Sequence, residues 1–128
     1  MCWLGEVFYN LAIVKYDIMS DKEEVNIEDF KKIDIRVGEI TDVEEIENVE
    51  NLYKVVVDVG EKKQIVVRTK PFYFSDQLMG KKVIVIANLE PTNILGMESQ
   101  GRLLVAEDNR TISLLTVDRD IENGTTIM

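Results

Sequence analysis

The stretch that decides the fold is Asp29-Phe30-Lys31-Lys32-Ile33-Asp34-Ile35-Arg36-Val37-Gly38-Glu39-Ile40. Ile33, Ile35 and Val37 alternate with Asp34 and Arg36, the period of a half-buried strand. Gly38 interrupts the pattern, so a bend or bulge is expected there. Just before it, Ile27–Lys32 reads as a short helical turn. Residues 20–29, SDKEEVNIED, are polar and acidic and read as a linker.

Strand signals continue along the chain. Leu52–Val59 is a β-branched run, Val59-Gly60-Glu61-Lys62 is a turn, and Lys63–Thr69 returns as a hairpin that Pro71 ends. Ser75 is suited to cap a short helix, Asp76–Met79, which Gly80 terminates. Lys82–Leu89 is the most hydrophobic strand, and Pro91–Gly101 reads as a loop. Arg102–Glu107 and Thr111–Val117 form a last hairpin across Asp108-Asn109-Arg110. A sheet this small must close or protect its edges. The order predicts an all-β protein: a five-stranded OB-fold barrel with a short helix between strands three and four. Such barrels bind oligonucleotides, sugars or proteins, so the fold alone does not give the function.

Upstream, Trp3, Leu4, Val7, Phe8, Leu11 and Val14 recur at helical spacing. The expected division is an N-terminal, helical extension over residues 1–28 and the barrel over 29–128. The apolar stripe packs either on its own domain or against a second copy, and Met19 is an alternative start. The segment has no basic start and is interrupted by Glu6, unlike a signal peptide. It is too short and too charged to span a membrane.

Composition removes whole classes of chemistry. The chain has 128 residues, 45% of them hydrophobic and 30% charged, enough apolar mass for one folded domain. There is no His, so imidazole acid–base catalysis, a Ser-His-Asp triad and a His-zinc site are impossible. One Cys permits no internal disulfide and no multi-cysteine metal cage, and it fits a reducing, cytoplasmic setting. The carboxylates Asp42, Glu44, Glu45, Glu47 and Glu50 lack the glycine and spacing of a calcium loop and read as a solvated face. No phosphate-binding glycine loop is present. Neither a catalytic residue, a metal nor a cofactor is expected.

The net charge of −9 opposes phosphate binding, yet it is uneven. Residues 61–102 hold seven basic and four acidic residues, and the other stretches are acidic. Those seven are Lys62, Lys63, Arg68, Lys70, Lys81, Lys82 and Arg102. Alternation places Lys63 on the face opposite Arg68 and Lys70.

The opening Asp29–Ile40 resembles D-F-x-K-[VL]-D-[LI]-R-V-G-x-[IV] of the tRNA-binding domain family. Leu52–Gly60 with Gln64-Ile65-Val66, Leu78-x-Gly80-Lys81-Lys82-Val83, Ala87-Asn88-Leu89-x-Pro91 and Gly96-x-x-Ser99-x-Gly101 are similar to further motifs of that family, in order. The resemblance spans residues 29–128. It implies a barrel that grips tRNA by shape, without catalysis. With no synthetase catalytic domain in the sequence, it implies the stand-alone members, which act as homodimers through flanking segments. Members include methionyl-tRNA synthetase appendages and CsaA-type export chaperones. A tRNA, a second copy, a synthetase or an unfolded polypeptide are therefore the expected partners.

Several positions depart from the family pattern. Ile46–Leu52 lacks its His, Pro and Lys, Glu90 and Asn93 replace two lysines, Val67-Arg68 replaces Ser-Gly, and Arg102 replaces Met. Lys63, Arg68 and Arg102 are candidates to restore the charge. The candidate RNA-binding residues are Arg36, Arg68, Asn88, Ser99 and Arg102. Each has a bland alternative where its chemistry allows one: Arg36 pairing with a carboxylate, Asn88 tying down its loop, Ser99 capping a turn. Tyr53 and Phe72 are either stacking platforms or core. The runner-up function is a CsaA-like chaperone, with Ile94, Leu95 and Met97 on an apolar loop.

Overall fold

A computed structural model describes residues 22–128. The helical stripe at residues 3–14 and the alternative start at Met19 lie outside the described residues. The chain divides into two units between Phe30 and Lys31.

In the first unit, helix α1 is the single turn Ile27–Phe30. Asn26 starts it, because its Oδ1 accepts the Asp29 N–H at 2.8 Å, one of the orphan donors of a helix start. Glu28 and Asp29 place negative charge in that first turn.

The second unit is the barrel. Its elements are β1 (Ile35–Glu45), β2 (Tyr53–Asp58), β3 (Lys62–Val67), α2 (Ser75–Leu78), β4 (Lys82–Ile86), β5 (Thr92–Ile94), β6 (Met97–Ser99), β7 (Arg102–Leu103), β8 (Val105–Glu107) and β9 (Ile112–Leu114). The main sheet runs β3-β2-β1-β4-β7, all antiparallel, with the short helix between β3 and β4. This is the expected OB-like barrel, nearly closed. Two small hairpins, β5–β6 and β8–β9, are added to it.

Strand β1 holds the sheet together because it is long enough for two partners. Its first half pairs with β4 (Ile35↔Ile86 to Glu39↔Lys82) and its second half with β2 (Glu39↔Asp58 to Glu45↔Tyr53). The register slips between Ile40 and Asp42, so the bulge falls after Gly38 rather than at it. Gly38 is required for another reason. A Cβ there would lie 2.6 Å from Val57 Cγ1 and 2.8 Å from Val59 Cγ1, so the close crossing of β2 leaves no room for a side chain.

The β2 pattern puts Tyr53, Val55 and Val57 inward, as period two dictates. They join Ile40, Val59, Ile65, Val67, Leu78, Val83, Val85 and Leu103 in one core. The helix contributes Leu78, which is fully buried. Ser75 is the first helical residue, not the cap; Gln77 Oε1 instead accepts the Phe74 N–H at 2.7 Å. Gly80 ends the helix with φ +78° and donates its N–H to Ile40 O.

The exposed edge of β3 is closed by the side chains of Ser99 and Gln100 and by the Gln100 backbone. Gln64 N donates to Gln100 Oε1 at 3.0 Å, and Gln100 N returns a bond to Gln64 O at 2.7 Å. Val66 N donates to Ser99 Oγ at 3.1 Å. On the other side of β1, Val37 N donates to Thr125 O and Ile127 N to Ile35 O, which pins the C-terminal segment. Two expectations are corrected here. Residues 91–101 are not a plain loop, since Thr92–Ile94 and Met97–Ser99 pair across Leu95-Gly96. The last hairpin is also shorter than expected, Val105–Glu107 against Ile112–Leu114.

Candidate functional site

The barrel closure creates a groove of about 480 Å³ between β3, β7, the β8–β9 hairpin and the Leu89–Ile94 segment. Val66, Val67, Leu103 and Ile112 supply its buried apolar floor. Leu89 and Val105 add more exposed apolar surface. Arg68, Arg102, Glu90 and Glu107 carry its charge.

The groove collects three of the five candidate residues, Arg68, Ser99 and Arg102. Arg68 is two-thirds exposed, and its Nη2 lies 3.9 Å from Glu107 Oε1, a loose surface pair worth little. Arg102 is exposed, stands opposite Ile86 in the β4–β7 ladder, and has no partner among the described residues. Its place is set by Gly101, whose φ of +101° and 2.7 Å approach of a built Cβ to Ile86 O admit only glycine. Ser99 is buried and spends its Oγ lone pair on Val66 N, so its first role is closure of the barrel. Thr69 also lines the groove; its buried Oγ1 has no hydrogen-bond partner among the described residues.

Asn88 and Arg36 lie apart from the groove. The Asn88 amide takes the Asp34 N–H on Oδ1 (2.9 Å) and gives Nδ2–H to Lys32 O (2.7 Å). It ties the end of β4 to the start of β1. Arg36 Nε faces both oxygens of Asp34, at 2.9 and 3.0 Å, and Nη1 reaches Gly124 O at 3.3 Å. Its guanidinium thus serves the junction of β1 with the C-terminal segment.

The remaining basic residues do not form one face. Lys63 lines a separate hollow with Asp34 and Arg36 and pairs with Glu61 at 3.5 Å, on a different side from Arg68 as alternation required. Lys70 pairs with Glu45 at 3.1 Å and donates to Val49 O at 3.2 Å, holding the 46–51 loop. Lys82 donates to Ile121 O at 2.7 Å and to Asn123 Oδ1 at 2.6 Å. Tyr53 is core, with its hydroxyl donating to Tyr73 O at 2.8 Å, whereas Phe72 keeps an exposed ring. Among the described residues no His/Cys/Asp/Glu group is placed to hold a metal, and no helix is long and apolar enough to cross a membrane.

Glu90 and Glu107 were not among the sequence candidates. Glu90 was readable as the loss of a lysine, and the structure adds that its position lies in the groove lining.

Comparison with known proteins gives this geometry its context. Methionine–tRNA ligase of Methanococcus maripaludis is 48% identical over 104 residues, which is 80% of this chain and 16% of the ligase. The chain thus spans about a sixth of the length of such ligases. The crystal structure of a MetRS related protein from Pyrococcus horikoshii superposes with TM-score 0.78 at 31% identity, covering 84% of this chain and all of that one. Chaperone CsaA from Bacillus anthracis superposes with TM-score 0.76 at 26% identity, covering 83% of this chain and all of CsaA. A family model described as "Putative tRNA binding domain" matches residues 35–126, from the first residue of β1 to the C-terminal segment pinned against it. With the motifs of the sequence, the barrel and the groove in agreement with that match, the chain belongs to the tRNA-binding domain family.

Proposed function

We propose that the protein is a non-catalytic RNA-binding module that recognises the shape of tRNA, acts as a homodimer in the cytoplasm, and uses no cofactor. The observation that carries this reading is the groove, where Arg68 and Arg102 flank an apolar floor in a domain of the tRNA-binding family. Guanidinium groups suit phosphate oxygens, and an apolar floor suits an unstacked base. Arg68, Arg102 and Ser99 are assigned to the groove, with Asn88 and Arg36 as positioning residues. The methionine–tRNA ligase relatives support a synthetase as a further partner. The apolar stripe Trp3–Val14, with the exposed Val25 and Ile27 after it, supports self-association through the N-terminal segment.

A second reading has its own observation. The four charged residues of the groove cancel, and its floor is apolar, which also suits an unfolded polypeptide, as the likeness to chaperone CsaA suggests. One experiment separates the two. Binding of total tRNA is titrated against salt while the same protein is assayed for suppressing aggregation of an unfolded client. Salt-sensitive tRNA binding is expected. No tRNA binding at low salt, together with suppressed aggregation, would sink the RNA reading.

A further inference from the structure

An RNA groove with a carboxylate in its lining needs an explanation. Glu90 is exposed, lines the groove, and forms no ion pair or hydrogen bond with any described residue. Arg102, in the same lining, is equally unpartnered. Opposite charges in one groove that leave each other free are available to a ligand carrying both an anion and hydrogen-bond donors. A phosphate alone would be repelled by Glu90, so affinity for a bare backbone does not account for it.

We infer that this groove takes one unpaired guanine, whose Watson–Crick edge is read by the Glu90 carboxylate while Arg68 and Arg102 meet the flanking phosphates. The inference rests on the RNA-binding reading above. A groove of about 480 Å³ lies within the usual range of small-ligand sites, about 300–1,000 Å³. Val66, Val67, Leu103 and Ile112 give a ring an apolar seat, which by itself accepts any base. The carboxylate makes the choice. An ionised carboxylate only accepts hydrogen bonds, from two oxygens side by side. Guanine offers two adjacent donors, N1–H and N2–H. Adenine sets its N6 donor beside the N1 acceptor, and cytosine sets N4 beside N3. Uracil flanks its single N–H with two carbonyls. In those three bases an acceptor lone pair faces the carboxylate, which rejects them. The same carboxylate weakens non-specific binding along the backbone and so raises discrimination.

The test uses six-nucleotide uridine oligoribonucleotides with one central G, inosine, A or C, and total tRNA as a control. The full chain should bind the G oligonucleotide about tenfold more tightly than the A or C oligonucleotide. Inosine, which lacks the N2 amine, should fall between. Glu90→Gln should bring G and A within about twofold while tightening binding to all four, since a repelling charge is gone. Glu90 is exposed, so this variant should melt like the parent, which a thermal scan verifies. Equal binding of G and A alongside retained tRNA binding overturns the guanine inference and leaves the RNA reading standing. A guanine preference that survives Glu90→Gln and is lost in Glu107→Gln overturns the assignment to Glu90. Absence of binding to oligonucleotides and tRNA alike fails the underlying reading itself.

Discussion

The Ser99 hydroxyl illustrates two uses competing for one side chain. It lies in the groove lining, yet its oxygen accepts the Val66 N–H that would otherwise be an unpaired donor on the β3 edge. Ser99→Ala should therefore lower stability by about 1–3 kcal/mol, the penalty of stranding a buried donor, as measured by urea unfolding. A loss of tRNA affinity with unchanged stability would show instead that the hydroxyl serves the ligand first. Arg102→Glu belongs to the opposite class. Its side chain is exposed and unpartnered, so stability should hold while the log–log salt slope of tRNA binding falls in magnitude by about 0.7–0.9, one phosphate contact. Asn88→Ala should weaken binding without changing the slope, because an amide releases no counterion. Residues of this kind were only half legible from sequence. Polar type and position marked Arg36, Asn88 and Ser99 as candidates, but a side chain's hydrogen bonds depend on which distant backbone the fold delivers. Asp34 and Lys32 meet Asn88 across 54 and 56 residues of sequence.

Elements were legible in proportion to their length and period. The alternation around Ile35–Val37 and the β-branched runs marked the meander and β4, because a face buried over several residues imposes a periodic pattern. The β5–β6 hairpin escaped, since strands of three residues leave no period to count. Its turn was the available signal. Asn93 Oδ1 accepts the Gly96 N–H at 2.8 Å, and Leu95 and Gly96 have φ of +52° and +82°. Two successive positive φ values are the signature of the tight hairpin turn that favours Asn-Gly. Leu95 is an unfavourable residue there: its branched side chain is exposed and its backbone is left-handed. Leu95→Asn should thus stabilise the protein by about 0.5–1 kcal/mol, seen as a higher melting temperature. An unchanged or lower value would indicate that the exposed leucine packs on something the barrel lacks.

At the scale of the molecule, the groove could not be read from sequence because Arg68, Glu90, Arg102 and Glu107 come from separate elements and meet only when β3 is closed against residues 98–100. Composition did convey the constraint that matters here: a net charge of −9 means that long-range attraction to tRNA is absent and contacts must be local. The salt dependence then reports the assembly state. One groove supplies two cations, Arg68 and Arg102, and a slope magnitude of about 1.4–1.8. A homodimer that lays both grooves on one tRNA supplies four and doubles the slope to about 2.8–3.6. Symmetry requires the two grooves to be related by a two-fold axis, so the spacing between them, rather than the affinity of either, would select the shape of the RNA. Light scattering at tens of micromolar should give twice the chain mass of 14.7 kDa. A monomer mass would sink the dimer, and with it the doubled slope. A chain lacking residues 1–18 discriminates further: loss of the dimer with a slope falling to the single-groove range assigns the contact to the Trp3–Val14 stripe, whereas a mass of twice the shortened chain with an unchanged slope assigns it to the barrel's own flanks. A slope steeper than the two-groove range would mean that cations outside the groove, such as the exposed Lys62 and Lys81, also reach phosphate.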